Sequence, residues 1–383
     1  MICPHCSRDA RFVAYRRTTV KSLFGDVVYE RAYYHCRCCH QGWFPTDEEL
    51  GVQREETPGA RQVIALVGLL EPFAEGAESV LPRLSGLNVS PATVQRTTEA
   101  VGDDVARRRA MEERIGFATH WNWHVDAIGR VAYVSLDATG VLQQGPHAEK
   151  ADGRMAWVGA VFNPQPTHQK QHRQVWERRY VSGLLSLPEI GAQLRRECQA
   201  VDVTQANVVI GLTDGGAGLE DCLTDVLGGL TPQMVFILDF YHASEHVREF
   251  AKVLIPNDDE NRREQTDRWC HMLKQQGGRA LLETIQSLDL SGANVAVLEA
   301  HRQLIGYLGN NTHRTDYPSY TARGWQIGSG MIEAACKTVV GHRLKASGMR
   351  WREQGTTALC QLRALYKSEP ALWASYWKRI AAT

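Results

Sequence analysis

The sequence predicts an α/β protein with a small metal-stabilised module ahead of it, and three observations carry that prediction. Between Ala206 and His246, two β-rich apolar runs, Val208-Val209-Ile210 and Met234 to Leu238, lead into Asp214 and Asp239 and bracket a helical pattern from Leu219 to Leu227. Apolar runs on either side of a helix read as buried parallel strands joined by a crossover. Upstream, Val131, Tyr133 and Ser135 alternate with Ala132, Val134 and Leu136 before Asp137, and Met155 to Phe162 and Val175 to Val181 follow as further strands. At the start of the chain, Cys3 and Cys6 form one closely spaced pair and Cys36 and Cys39 another.

Length and charge frame the rest. A chain of 383 residues exceeds one ordinary core, so two to four domains are expected. The patterns divide it into segments 1–45, 46–115, 116–240, 241–325 and 326–383. With 43% hydrophobic and 22% charged residues, it has the composition of a soluble globular protein. The 43 basic and 43 acidic residues cancel, but unevenly: residues 334–383 carry nine Lys/Arg against two Glu, and residues 1–45 carry seven against three acidic. Basic ends permit polyanion binding there. No apolar run reaches the roughly eighteen residues of a membrane span, and the opening MICPHC is no charged-then-apolar signal segment. Five of ten cysteines fall in the first forty residues at metal spacing, so the expectation is bound zinc in a reducing cytoplasm.

The ribbon comes first. Cys3, Cys6, Cys36 and Cys39 are the expected ligands of a tetrahedral Zn2+, each pair forming a knuckle, with Cys38, His5, His35 and His40 as spares. Val27, Tyr29, Arg31 and Tyr33 alternate with Val28, Glu30, Ala32 and Tyr34, a strand entering the second knuckle. So short a segment cannot build a core unaided, and the metal supplies its folding energy.

Residues 46–115 read as helical. Thr57-Pro58 starts a helix with an apolar stripe of Val63, Ile64, Val67 and Leu70; Ser90-Pro91 starts another after a turn at Ser85 to Val89. Helix, glycine turn and capped helix is the layout of a helix-turn-helix, with Thr93, Gln95 and Arg96 facing a major groove; an ordinary helical pair fits equally.

The next segment runs βββαβαβ, its first helix being Leu187 to Ala200, which is the order of the ribonuclease-H-like fold. Residues 241–325 read as an all-helical insertion: His242 to Leu254, Trp269 to Leu290 and Ala293 to Leu308, with Asp258 to Asp267 as a charged patch between helices. Ser329 then reads as an N-cap that puts Glu333 in the first turns of a helix, which Ala334 and Ala335 let approach the sheet closely. A basic run from His342 to Arg352 and two helices close the chain.

Asp137, Asp214 and Glu333 are the candidate chemistry. Carboxylates about 4 Å apart repel by about 4 kcal/mol per pair at an effective dielectric near 20, so such a cluster persists with metal bound or protons taken up. Two Mg2+ ions about 4 Å apart relieve it and suit phosphodiester chemistry, and oxygen-only ligands select Mg2+ or Mn2+ over zinc. Asp239 and His242 stand at a strand-to-helix junction, either as a fourth ligand and a phosphate contact or as a helix cap with an orienting histidine.

Four stretches carry a family resemblance. YVSLDATGV, GLTDGGAGL, ILDFYHASEHV and GSGMIEAACKTVVGHRLKASGMRW resemble the signature blocks of bacterial insertion-sequence transposases of the ISKra type, DDE enzymes with kinship to the Mutator-like group. The likeness extends over nearly the whole chain, including the ribbon and the Leu50-Gly51-Val52 that follows it. It implies the DDE roles for Asp137, Asp214 and Glu333, with Mg2+ or Mn2+ as cofactor. Where related groups carry Cys-x-x-His after the last strand, this chain has Asp239 and His242, so His242 matches and the role of Asp239 stays open. It further implies cleavage and joining of DNA strands, the partners being the terminal inverted repeats of its own element and target DNA. At least a dimer on DNA and a nucleoid-associated, cytoplasmic location go with that. Arg343, Lys345, Arg350 and Arg352 are then candidate phosphate contacts. Two rivals remain: a domesticated, non-catalytic DNA-binding protein, and a ribonuclease-H-like structure-specific nuclease that cuts without joining.

Overall fold

The computed structural model describes residues 1–116, 119–163, 177–369 and 372–382. Its contacts divide the chain into two compact units: Met1–Gly116 with Gln354–Tyr366 and Ala371–Thr383, and Phe117–Glu353 with Lys367–Pro370.

In the first unit, β1 (Arg11–Ser22), β2 (Gly25–His35) and the two-residue β3 (Gly42–Trp43) form an antiparallel sheet in that order. Helices α1 (Pro45–Glu49), α2 (Pro58–Leu70), α3 (Phe73–Glu75), α4 (Leu81–Ser85) and α5 (Pro91–Ala110) follow. Thr57 and Ser90 cap α2 and α5 through their side chains, as their Thr-Pro and Ser-Pro spacings require. From Phe73 to Ser85 the backbone stays helical, but it includes a π-helical turn over Gly76–Val80 just ahead of Pro82, which falls in the first turn of α4. Proline has no amide to donate and crowds the carbonyl four residues back, so a regular α ladder cannot run through it. Ile64, Val67, Leu81, Leu87 and Val94 make the core of this helical group.

The second unit holds one mixed sheet of six strands: β4 (His124–Asp126), β5 (Gly129–Gln144), β6 (Lys150–Phe162), β7 (Arg178–Gly183), β8 (Val208–Thr213) and β9 (Met234–Leu238). The path is β7-β6-β5-β8-β9, with β4 paired to the start of β5. β5, β6 and β7 are antiparallel, whereas β8 and β9 run parallel to β5. Of the expected third strand, residues 175–176 lie outside the described residues. β5 extends beyond its expected end because Ala138 to Gln144 continue pairing with β6 as a hairpin arm, so Asp137 sits mid-strand.

Helices α6 (Leu187–Ala200) and α7 (Leu219–Leu227) cover one face, where Ala132, Val134 and Leu136 of β5 meet Ile190, Leu194, Leu223 and Val226. Strand alternation sends Val131, Tyr133, Ser135 and Asp137 to the other face. After β9 come α8 (Phe240–Leu254), α9 (Asp259–Gln286, kinked at the non-helical Gly277), α10 (Val295–Asn311) and α11 (Tyr317–Ala322), which pack on one another as the helical insertion. Asp258 to Asp267 is not a patch between helices. Asp258 caps α9, and the rest are its first turns, their charges paired on a solvated face as Arg262–Asp259 and Arg268–Glu264.

Helix α12 (Gly330–Ala335) then approaches β5 and β6, continuing as a π-helical segment Cys336–Gly341 and α13 (His342–Leu344). The last helices, α14 (Glu353–Lys367) and α15 (Leu372–Ala382), fall mainly in the first unit, although the sequence patterns group them with the α/β segment. Arg363 donates to the Leu69 carbonyl at 2.8 Å. A Cβ at position 102 would lie 2.3 Å from the Ala358 carbonyl oxygen, so glycine lets the α5 and α14 backbones touch. Among the described residues no helix is long and apolar enough to cross a membrane.

Candidate carboxylate site and cysteine cluster

Sheet register sets the site. β5 and β8 pair Ser135 with Leu212, so two residues further on Asp137 stands level with Asp214. β8 and β9 pair Thr213 with Leu238, which sets Asp214 level with Asp239 on the next strand, and adjacent strands lie about 4.8 Å apart. Glu333 arrives from the first turn of α12, and Cys336, one turn on, donates its Sγ–H to Asp137 Oδ2 at 3.5 Å. Asp137, Asp214, Asp239, His242 and Glu333 thus line one pocket of about 380 Å3, together with Tyr241, Glu245 and Ser329. At the end of the insertion, buried Arg314 reaches Thr213 at 3.4 Å and Glu220 at 3.1 Å, fixing the strand end that bears Asp214.

The carboxylates are held differently. Asp137 accepts from the Ala138 amide at 2.6 Å; burial pushes its carboxyl above the usual range, and the charges of Asp214 and Glu333 push it the same way. Asp214 accepts from the Gly216 amide at 2.9 Å in an Asx turn, with its side chain still on the pocket. Asp239 is 1% exposed. Its Oδ1 accepts from the amides of Tyr241 (2.6 Å) and His242 (3.3 Å), capping α8, and its Oδ2 from the Ser329 amide (3.1 Å) and hydroxyl. A carboxylate offers about four acceptor positions, and these donors fill them. Of the two roles open to it, Asp239 takes that of helix cap here, and it also clamps two segments together while still lining the pocket. Ser329 Oγ also lies 2.9 Å from Glu333 Oε1, and its single hydrogen serves one carboxylate at a time.

His242 is half-exposed, with Nδ1 3.7 Å from Glu245. Its ring meets His246 edge-on at 5.0 Å, and His246 packs against Tyr307 of α10 at 3.9 Å. Burial, and then the neighbouring His242, push His246 below the ordinary histidine range.

The four expected cysteines meet as well. Cys3 and Cys39 Sγ are 3.6 Å apart, Cys6 and Cys36 Sγ 3.5 Å, and all four sulfurs lie within 4.8 Å of one another. Tetrahedral zinc with Zn–S bonds of about 2.3 Å needs sulfurs about 3.8 Å apart, so the cluster is compatible with zinc. Amide hydrogens of Cys39 and, against the effect of burial, Cys38 bring the Cys36 thiol down to about 7, whereas, against nearby backbone amides, burial and the neighbouring thiols raise those of Cys6 and Cys39. Cys38 itself is exposed and outside the cluster. Among the described residues these four alone gather tightly enough to hold an ion as they stand. The acidic residues share their pocket more loosely. Their all-oxygen donor set nonetheless fits Mg2+ or Mn2+ by chemistry, and the disfavoured charge on Asp137 is what a cation relieves.

The remaining candidates divide. Gln95 and Arg96 are exposed and Thr93 half-buried on the first turns of α5, with side-chain bonds Gln95–Glu99 and Arg96–Thr93, and the Arg96 carbonyl accepts from Arg54 at 3.4 Å. Arg343 is not a phosphate contact: it is 2% exposed, its guanidinium 4.9 Å from the centre of the Trp351 ring. Lys345 and Arg352 are exposed and Arg350 half-buried, and Lys345 bonds Thr139, two residues past Asp137, at 3.0 Å. Sequence reasoning missed Ser329 as a clamp, Cys336 and Tyr241. Their one signal was adjacency to the acidic residues. No protein-family model matches the chain, and no curated protein matches it.

Proposed function

We propose that the chain is a metal-dependent DNA strand transferase, a DDE transposase that cuts at the ends of an insertion sequence and joins them to target DNA. The observation that carries this is the meeting in one pocket of Asp137 from mid-β5, Asp214 from the end of β8 and Glu333 from α12. The strand path β7-β6-β5-β8-β9, antiparallel on one side of β5 and parallel on the other, supports a ribonuclease-H-like core. Mg2+ or Mn2+ held by these three carboxylates would activate a water or 3′-hydroxyl and offset charge on the departing phosphodiester oxygen.

The chain's own residues do the arranging. Asp239 and Ser329 hold the start of α12 against the start of α8, which fixes the turn bearing Glu333. Cys336 orients Asp137 from the same helical face. Lys345 supplies a positive charge beside the site, and His242 a ring nitrogen within it. The cysteine ribbon takes Zn2+, and DNA at the element's ends, bound by at least a dimer, completes the assembly.

The test is cleavage of duplexes carrying the terminal repeats that flank the gene, with Mg2+, comparing the natural chain with Asp214→Ala. Nicking at the repeat ends that the variant loses, followed by joining of pre-cleaved ends to a target plasmid, is the expected result. Cutting without joining assigns a structure-specific nuclease; binding without cutting assigns a non-catalytic DNA-binding protein.

A further inference from the structure

The pocket has an aromatic wall that the carboxylates do not require. Tyr241 is 61% exposed, yet it lines the same pocket as Asp137, Asp214 and Glu333. Its backbone is fixed from two directions. The Tyr241 amide donates to Asp239 Oδ1 at 2.6 Å, and the Phe240 amide donates to the Ile327 carbonyl at 2.8 Å. With the Ser329 amide on the other Asp239 oxygen at 3.1 Å, residues 239–241 are laid along residues 327–329.

The ring then rests on Gly328: a Cβ there would lie 2.5 Å from Tyr241 Cε2 and 2.7 Å from Cδ2. Glycine is needed here for space, and the ring occupies that space. Phe240 meets the ring edge-on at 5.5 Å. One part of an amphipathic ring is seated on backbone while the rest is left open beside three acidic side chains. Water gains nothing from that arrangement, but the flat face of a nucleobase does.

We propose that Tyr241 is the stacking platform for the base adjoining the phosphate on which the site acts, so that one nucleotide at the DNA end leaves its duplex partner and lies on this ring. This rests on the reading of the site as DNA-processing. An open pocket of about 380 Å3 is of single-ligand size, which suits a nucleotide that enters it unpaired. Stacking tolerates any base, because every base has a π face.

The experiment uses the full chain and a terminal-repeat duplex with 2-aminopurine placed in turn on either side of the scissile phosphate, bound in Ca2+. Quenching at one of the two positions, lost in Tyr241→Ala and kept in Tyr241→Trp and Tyr241→Phe, is expected. Gly328→Ala, which displaces the ring without removing it, is expected to weaken the quench partly. Tyr241→Ala is expected to weaken binding of the natural duplex by about 5- to 150-fold, the factor carried by one base–aromatic stack. That loss should vanish on a duplex abasic at the quenched position, which a merely structural role would not produce. Equal quenching in Tyr241→Ala, no quenching at either position, or an unchanged penalty on the abasic duplex overturns the proposal. Cleavage by the natural chain in Mg2+ is scored separately: its absence sinks the enzymatic reading, whereas cleavage with Tyr241→Ala indistinguishable sinks only this one.

Discussion

Replacing Asp239 separates a clamp from a metal ligand. In Asp239→Asn one oxygen still caps the Tyr241 and His242 amides, but the new –NH2 faces the Ser329 amide, donor against donor. The Ser329 hydroxyl can turn to accept from that –NH2, or to Glu333 at 2.9 Å, so one buried donor is orphaned. An orphaned buried donor costs about 1–3 kcal/mol. Asp239→Ala adds the lost helix cap, about 1 kcal/mol more, for a total of about 2–4 kcal/mol. Against a typical domain stability of about 5–15 kcal/mol, that is a large fraction. Urea denaturation without divalent metal, followed by near-ultraviolet circular dichroism and by tryptophan fluorescence, should show both variants unfolding earlier, alanine more than asparagine. Because the clamp also seats Glu333, cleavage should fall in both variants, and more Mg2+ should not restore it. A variant of undiminished stability whose activity returns when Mg2+ is raised would mean that Asp239 is a ligand, and the reasoning from its four donors would be refuted.

Three further outcomes follow from the same geometry. Asp137 holds its proton to higher pH in the folded chain than in the unfolded one, so its contribution lowers stability as pH climbs from the ordinary aspartate value, about 3.9, through the raised one. Asp137→Asn should therefore melt above the natural chain at neutral pH without Mg2+, the difference closing below the ordinary value and on adding Mg2+, as read by calorimetry. Cys36→Ser or Cys39→Ser should lose the one zinc per chain counted by mass spectrometry and speed trypsin cleavage after the already exposed Arg8 and Arg11 by loosening their backbone, because Cys3, Ala10, Cys36 and Trp43 are nearly all the core the ribbon has; Cys38→Ser should change neither. Lys345→Ala and Arg352→Ala should each reduce the salt slope of DNA binding by about 0.9, whereas Arg343→Ala should leave the slope alone and lower the melting temperature, since its charge is stacked on Trp351.

Where a side chain's position follows from local pattern, the sequence places it well. Asp214 follows a run of β-branched residues that has one reading as a buried strand, and it lies immediately past β8. The cysteine pairs carry their spacing with them and meet in space. Asp137 was harder to locate along its strand. Ala138, Thr139 and Gly140 look like an ending, yet pairing with Met155 to Trp157 carries β5 onward, and that partner is set by the hairpin rather than by the residues themselves. Arg343 fails for a similar reason: within the run His342 to Arg352 it looks like its basic neighbours, and only packing against Trp351, eight positions on, hides it.

The site shows the same division more sharply. Its acidic residues could be nominated singly, but what orients them comes from pairs distant in sequence: Asp239 with Ser329, Asp137 with Cys336, Tyr241 with Gly328. No periodicity encodes such a pair. Each partner is a small or polar residue whose only local meaning is a turn, a cap or a helix position. The sheet register converts them into a site, because setting Asp137, Asp214 and Asp239 at one level obliges the segment returning from the insertion to meet them there. Glu333 can serve that pocket because Gly328 and Ser329, just ahead of it, are held against the aspartate row.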